Sequence, residues 1–261
     1  DDIPTATWKV IVLSYLRSGS SLTGDIIQQH PDIFYVFEPL KTIGRQFEGL
    51  DRDRLLMDLH FSAMSIFCVC VFYLLDASES QWHRIVRCFQ EVNSKCRSAK
   101  IIAAKTIRLS MRQAAALMVS DSTVKVVHLI RDPRAVIASR LRFNERFRLT
   151  PVSEQANKLC SQVVNNINIS KDLSGMFPKR ILTVRYEDIA ESPVAAARQL
   201  FNFLGIQITA SNEEYIWNIT YAGCEDGCSI CTVRSNASAT AKAEHGFHGD
   251  VVKQQERVSH V

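Results

Sequence analysis

No stretch of this chain is apolar for long enough to cross a bilayer. The longest candidate, Phe61 to Leu75, falls short of the ~20 residues a helical span needs. It also carries Ser62 and Ser65, so a buried helix is expected there. No signal peptide is visible and the first residue is Asp1 rather than Met. The expectation is therefore a fragment whose targeting region is missing, with a membrane anchor only upstream. There is no internal repeat, no low-complexity tract and no linker, which leaves one domain over 1–261. The phosphate loop of nucleoside triphosphatases, Gly-x-x-x-x-Gly-Lys-Ser/Thr, is absent. So is a metal-holding carboxylate at the end of any expected strand, and no metal is expected. Charge of one sign is also scarce: a net +4 over 261 residues does not announce nucleic-acid binding, and none is expected.

Cysteine is too sparse for a small disulfide scaffold, at eight in 261 residues, though it permits a few disulfides in an oxidising compartment. Cys88, Cys96 and Cys160 are candidates, as is the cluster Cys224, Cys228 and Cys231. With His245 or His248 that cluster has zinc-binding chemistry, but its spacing is not the paired Cys-x-x-Cys arrangement. Three N-x-S/T sequons, at Asn168, Asn218 and Asn236, join the cysteines in favouring a lumenal compartment. A hydrophobic fraction of 46% and a charged fraction of 22% are ordinary for a globular chain of this size, which can bury a full core.

Strand-like and helix-like segments alternate. Strands are expected at Trp8 to Leu16, Ile33 to Phe37, Lys100 to Ile107, Lys125 to Ile130 and Arg180 to Val184. Helices are expected at Ser20 to Gln29, Arg52 to Cys88 in pieces, Ser110 to Val119, Pro133 to Leu141, Ser153 to Leu173 and Pro193 to Leu204. Proline at the first position of the Pro133 helix and Gly205 after the last helix are the usual start and stop signals. This alternation predicts an α/β fold, a parallel sheet with helices on both faces. Ligands in such sheets bind beyond the carboxyl ends of the strands. Arg17, Glu38, Lys105 and Arg131 all fall at or near those ends.

Two strand-to-helix passages carry anion-binding chemistry. The first is Arg17-Ser18-Gly19-Ser20-Ser21-Leu22. The unpaired N–H groups of a helix start and the helix dipole favour an anion. Gly19 permits close backbone approach, Ser18, Ser20 and Ser21 add hydroxyl donors, and Arg17 adds a charge that does not titrate away. The same residues also fit a plain turn with capping serines. The second passage runs from Arg131 through Asp132 and Pro133 to Ser139, which sits about two turns along the next helix. Arg131 and Ser139 can clamp one phosphate, or serve as a surface ion pair and a packing residue. Arg131, Arg134, Arg140, Arg142, Arg146 and Arg148 crowd this region, either as a solvated face or as a wall attracting anionic ligands.

Tyr15 to Leu22 resembles the 5′-phosphosulfate loop of sulfotransferases, and Arg131 to Ser139 resembles their 3′-phosphate site. Phe34-Tyr35-Val36-Phe37-Glu38-Pro39-Leu40, Lys105-Thr106-Ile107-Arg108 and Arg185-Tyr186-Glu187-Asp188 are similar to segments of Golgi carbohydrate 6-O-sulfotransferases. The likeness runs from about Trp8 to Gly205. The segment from Cys231 to Asn236 resembles a Ser-Thr-x-Arg stretch of that family, but the features expected after it are missing.

The resemblance implies a P-loop-like sulfotransferase fold and the co-substrate 3′-phosphoadenosine 5′-phosphosulfate (PAPS). It further implies a glycan acceptor, such as a glycosaminoglycan, modified at a sugar 6-hydroxyl, and a type II protein of the Golgi lumen. In that chemistry Arg17 serves the leaving 5′-phosphate, Lys105 the sulfuryl oxygens and Glu38 the acceptor proton. A helix-cap or salt-bridge role remains the alternative for Glu38, and a solvated strand-end lysine for Lys105. Of the histidines, His128 falls inside a strand and reads as a packed core residue; His30 and His60 fit the base less well than Glu38. A tyrosylprotein sulfotransferase and an inactive nucleotide- or glycan-binding module are the competing functional readings.

Overall fold

A computed structural model describes residues 8–39, 90–92 and 94–221. The expected helices over Arg52 to Cys88, the apolar run from Phe61, Cys224, Cys228, Cys231, Asn236 and the divergent C-terminal segment all lie outside the described residues.

Five short segments rich in Val, Ile and Ala form one sheet: β1 (Trp8–Leu13), β2 (Ile33–Phe37), β3 (Ile101–Thr106), β4 (Val124–Ile130) and β5 (Ile181–Arg185). Their spatial order is β2-β3-β1-β4-β5 and every neighbouring pair is parallel. Alternate residues feed opposite faces, as strand geometry requires. Val10 and Val12 of β1 enter one core with Ala103, Val127 and Leu129, while Ile11 and Leu13 enter another with Ala104 and Val126. Burial on both faces explains why the central strands read as continuous apolar runs.

Helices among the described residues include α1 (Ser20–Gln28), α2 (Met111–Ser120), α3 (Pro133–Phe143), α4 (Val152–Met176), α5 (Tyr186–Glu191), α6 (Pro193–Leu204) and α7 (Ala210–Tyr221). Residues of α1, α5, α6 and α7 share the first core, among them Ile26, Ile189, Phe201 and Ile216. Those of α2 and α4 share the second, among them Met111, Met118 and Leu173. A third cluster joins Tyr15 to Val136 and Ile137 of α3 and Leu159 and Val163 of α4. The expectation of a parallel α/β sheet covered on both faces is met.

Among the elements that went unread in the sequence are two helices. The short α5 starts directly where β5 ends, so the expected strand boundary at Val184 hides a helix beginning two residues later. The amphipathic signal of α7 is weak because its outer face carries the exposed Trp217. It is held instead by tertiary contacts: Asn212 Nδ2 donates to Gln29 O at 3.0 Å and the Tyr215 hydroxyl to Asp25 at 3.1 Å.

The order of strands creates a switch point. From β1 the chain crosses to β2 on one side of the sheet, and from β4 it crosses to β5 on the other. The connections leaving the adjacent carboxyl ends of β1 and β4 therefore diverge and open a crevice, the usual ligand position in open α/β sheets.

Candidate functional site

The turn leaving β1 is built from its own hydroxyl. Ser18 Oγ donates to Tyr15 O at 2.7 Å and accepts from Tyr15 N at 3.1 Å, and Ser18 N also donates to Tyr15 O at 3.0 Å. Ser18 is fully buried and shapes the turn from beneath. The third residue of a type II turn has a positive φ, usually supplied by glycine. Here Arg17 supplies it, at 70°. Glu38 is also left-handed, at 48°, so two of the three non-glycine residues with positive φ among the described residues are candidate site residues. Backbone strain of this kind persists where its surroundings over-determine it, and it concentrates at functional positions.

Gly19 follows with φ 87° as the N-cap of α1, and no side chain caps that helix. The donor groups at the start of α1, over Ser20, Ser21 and Leu22, are thus left to the backbone. A Cβ on Gly19 would lie 2.0 Å from Cδ2 of Tyr186, so the glycine is required by the ring packed against it.

The two anion passages meet. Arg17 Nε donates to Ser139 Oγ at 3.0 Å, Arg131 Nη1 donates to Arg17 O at 3.1 Å, and Arg140 Nε donates to Leu16 O at 3.1 Å. The guanidinium of Arg17 also lies 4.6 Å from the Phe143 ring centre. Arg131 stacks at 4.2 Å on Tyr186, the ring that touches Gly19. Burial pushes the Arg131 guanidinium below its ordinary pKa; Tyr186 and Glu187 oppose this, and the nearby Arg17 and Arg142 add to it. Concentrated cationic charge in a low-dielectric crevice is the electrostatic signature of an anion site. Arg131 is thus buried beneath the crevice rather than on the surface. Asp132 pairs with Arg134 at 2.6 Å, and its N–H donates to Glu187 at 2.8 Å.

A second cluster sits where β2 and β3 end. Glu38 is buried; one carboxylate oxygen accepts from Lys105 Nζ at 2.6 Å and the other from Arg108 Nη1. Burial lowers the Lys105 pKa, against the stabilising contact with Glu38, and its ammonium lies 4.4 Å from the Phe37 ring centre. Ser14 Oγ donates to Thr106 O at 3.2 Å, tying this strand end to the Arg17 turn. The carboxyl edge of the sheet thus carries two groups, Arg17, Ser139 and Arg131 in one, Glu38, Lys105 and Arg108 in the other. Sequence reading gave no role to Tyr186 or Arg108. Both lay inside segments that resembled a known family, but nothing in their spacing disclosed the contacts they make.

Comparisons with known proteins give the family. Residues 8–223 match the sulfotransferase domain. The chain belongs to the sulfotransferase family. The match extends past Gly205 and takes in α7. Carbohydrate sulfotransferase 4 of mouse is 27% identical, over 81% of this chain and 69% of that protein. Zebrafish carbohydrate sulfotransferase 1 is 24% identical, over 91% and 68%. The sulfotransferase domain from the curacin biosynthetic pathway superposes with a TM-score of 0.56 at 16% identity, over 90% of this chain and 89% of that one. The sulfotransferase domain from the Synechococcus PCC 7002 olefin synthase gives 0.50 at 20% identity, over 94% and 90%. These structures share the fold of this sulfotransferase.

Other expectations are placed as follows. His128 is a core residue with no exposed surface, its Nε2 2.9 Å from the Tyr15 hydroxyl. Cys160 is a free thiol exposed on α4, and Cys96 is buried. Asn168 and Asn218 are both exposed on helices. Among the described residues no group of His, Cys, Asp and Glu is arranged to hold a metal ion, and no helix is long and apolar enough to cross a membrane.

Burial pushes the His128 pKa from 6.5 down to about 4. The folded state therefore keeps the ring neutral where the unfolded chain would take up a proton. This contribution to stability is complete above about pH 6.5 and is lost as the pH falls towards about 4, a change on the order of 3 kcal/mol. In urea unfolding at a series of pH values, His128→Gln should show a shallower fall in stability over that window than the unsubstituted protein. Parallel curves would refute the effect.

Proposed function

We propose that this sulfotransferase moves a sulfuryl group from PAPS to the 6-hydroxyl of a sugar in a glycosaminoglycan or related glycan. The observation that carries the reading is the convergence of Arg17, Ser139 and Arg131 beside the glycine-opened start of α1. A donor with phosphate at both ends of its nucleoside fits two such anion sites at one switch point. The sulfotransferase relatives named above, which act on carbohydrate by their names, support a glycan acceptor over a tyrosyl one.

The roles proposed are these. Arg17, with Ser18, Gly19, Ser20, Ser21 and Leu22, holds the 5′ side of the donor; Ser18 acts by forming the turn, and the others by backbone and hydroxyl donors. Arg131 and Ser139 hold the 3′-phosphate. PAPS, when bound, supplies the sulfuryl group, and the protein has to orient and neutralise charge, as in phosphoryl transfer. Arg17 stabilises the charge that gathers on the departing 5′-phosphate oxygen. Glu38 takes the proton of the acceptor hydroxyl by exchanging one of its two cationic contacts for that group. Lys105 turns its ammonium to the sulfuryl oxygens as Glu38 becomes protonated. Transfer of labelled sulfate over a panel of desulfated glycans tests the reaction; absence of transfer to every sugar refutes it.

Residence in the Golgi lumen as a type II protein is part of the same reading, supported by the exposed sequon asparagines Asn168 and Asn218. Protein from secretory cells should lose apparent mass on deglycosylation; no change in mass counts against it.

Arg131→Ala removes a charge-assisted contact of about 1.5–3 kcal/mol. It should weaken binding of 3′-phosphoadenosine 5′-phosphate (PAP) at least about tenfold, by calorimetry, while far-UV spectra stay unchanged. Unaltered affinity would show that Arg131 does not hold phosphate. Glu38→Gln keeps the size of the side chain and removes its basicity. It should lower kcat about 10²–10⁴-fold with PAP affinity near normal; full kcat would make Glu38 structural.

A further inference from the structure

Beneath the Arg17 turn lies a polar group that the proposed chemistry does not use. Tyr15, His128 and Asn166 are 3%, 0% and 1% exposed. Asn166 Nδ2 donates to the Tyr15 hydroxyl at 2.9 Å, and Asn166 Oδ1 accepts from Met111 N at 3.1 Å. The Tyr15 hydroxyl, accepting from Asn166, is left to donate to His128 Nε2, 2.9 Å away. The Asn166 amide has one orientation only: reversing it would set its NH2 group against the Met111 N–H, donor to donor. His128 is accordingly neutral, with its proton on Nδ1, an atom without a hydrogen-bond partner.

Each member comes from a different element, and those of Tyr15, His128 and Met111 lead to the site. Tyr15 opens the turn whose third residue is Arg17. His128 lies on β4 three residues before Arg131. Met111 starts α2, after Lys105 and Arg108. We propose that Tyr15, Asn166 and His128 form a buried polar tie that keeps the donor-binding turn in register with the ends of β3 and β4, which makes Tyr15 a positioning residue for the nucleotide. The inference rests on the reading of that turn as the donor site.

Physical economy favours this role over simple packing. Apolar side chains of similar volume would fill the same space, but only directional bonds set one position along the sheet edge. The tie is also where it is needed. Arg17 holds a left-handed conformation in a turn closed by the Ser18 bonds to Tyr15. If Tyr15 is loose, the turn is loose with it, and the carbonyls that receive Arg140 and Arg131 shift as well.

The test compares Tyr15→Phe with Asn212→Ala, a comparably buried polar substitution that anchors α7 to Gln29, away from the turn. Tyr15→Phe should weaken PAP binding about tenfold and speed amide exchange across Tyr15 to Gly19 by a similar factor, with the KM for the glycan unchanged. Asn212→Ala should lower Tm while leaving PAP affinity and turn exchange as they were. Combined with Arg17→Lys, Tyr15→Phe should cost less than the product of the two single effects, because a released turn no longer aims Arg17. If Tyr15→Phe does not fold, Asn166→Ser breaks the tie from the other side and is read the same way. Normal PAP affinity with unchanged exchange, or strictly multiplicative effects, overturns the tie. Failure of the unsubstituted protein to bind PAP instead overturns the donor-site reading, and the positioning role falls with it.

Discussion

The hydrogen bond from Arg17 to Ser139 is the contact on which the rest of the site depends. It joins the turn after β1 to the helix after β4, two segments separated by 122 residues of sequence. Beside it, Arg17 holds a left-handed backbone and Gly19 leaves room for the ring of Tyr186. A side chain at Gly19 would push that ring away, and Arg131 would lose the aromatic face on which it stacks. Backbone strain, one missing Cβ and one aromatic ring together put several guanidinium groups around a single crevice.

Such a crevice costs stability before it does anything useful. Arg131 and Arg140 are both disfavoured by burial, and Lys105 likewise on the other side of the sheet edge. The fold offsets this locally. Arg131 and Arg140 donate to carbonyls of the turn, Arg131 also gains the Tyr186 face, and Glu38 takes both Lys105 and Arg108. Cations arranged in advance need little reorganisation when charge develops on a reacting group, and that preorganisation is the chief means by which electrostatic catalysis works.

Much of this was legible from the residues in order. The alternation of Val- and Ile-rich segments with capped amphipathic ones predicts the parallel sheet, because strands buried on both faces have no polar side to show. The proline after Asp132 and Gly205 mark a helix start and a helix end through their backbone restrictions alone. Serines and a glycine between a strand and a helix, next to an arginine, point to an anion. Less legible were the roles within those segments. Ser18 reads as a ligand donor but spends its hydroxyl on Tyr15. Tyr186 and Arg108 read as unremarkable members of their segments, and α7 hardly reads as a helix that the core needs.

What the sequence determined by itself is local. Strand and helix periodicity, the turn-forming glycine and the supply of cations at strand ends depend on near neighbours, and near neighbours are what a sequence displays. Tertiary structure decided which of those cations share a crevice, which ring demands Gly19, and that Tyr15, Asn166 and His128 meet beneath the turn. Each of these is a contact between elements far apart in the chain. The order of strands across the sheet sets them, and no spacing along the sequence encodes that order.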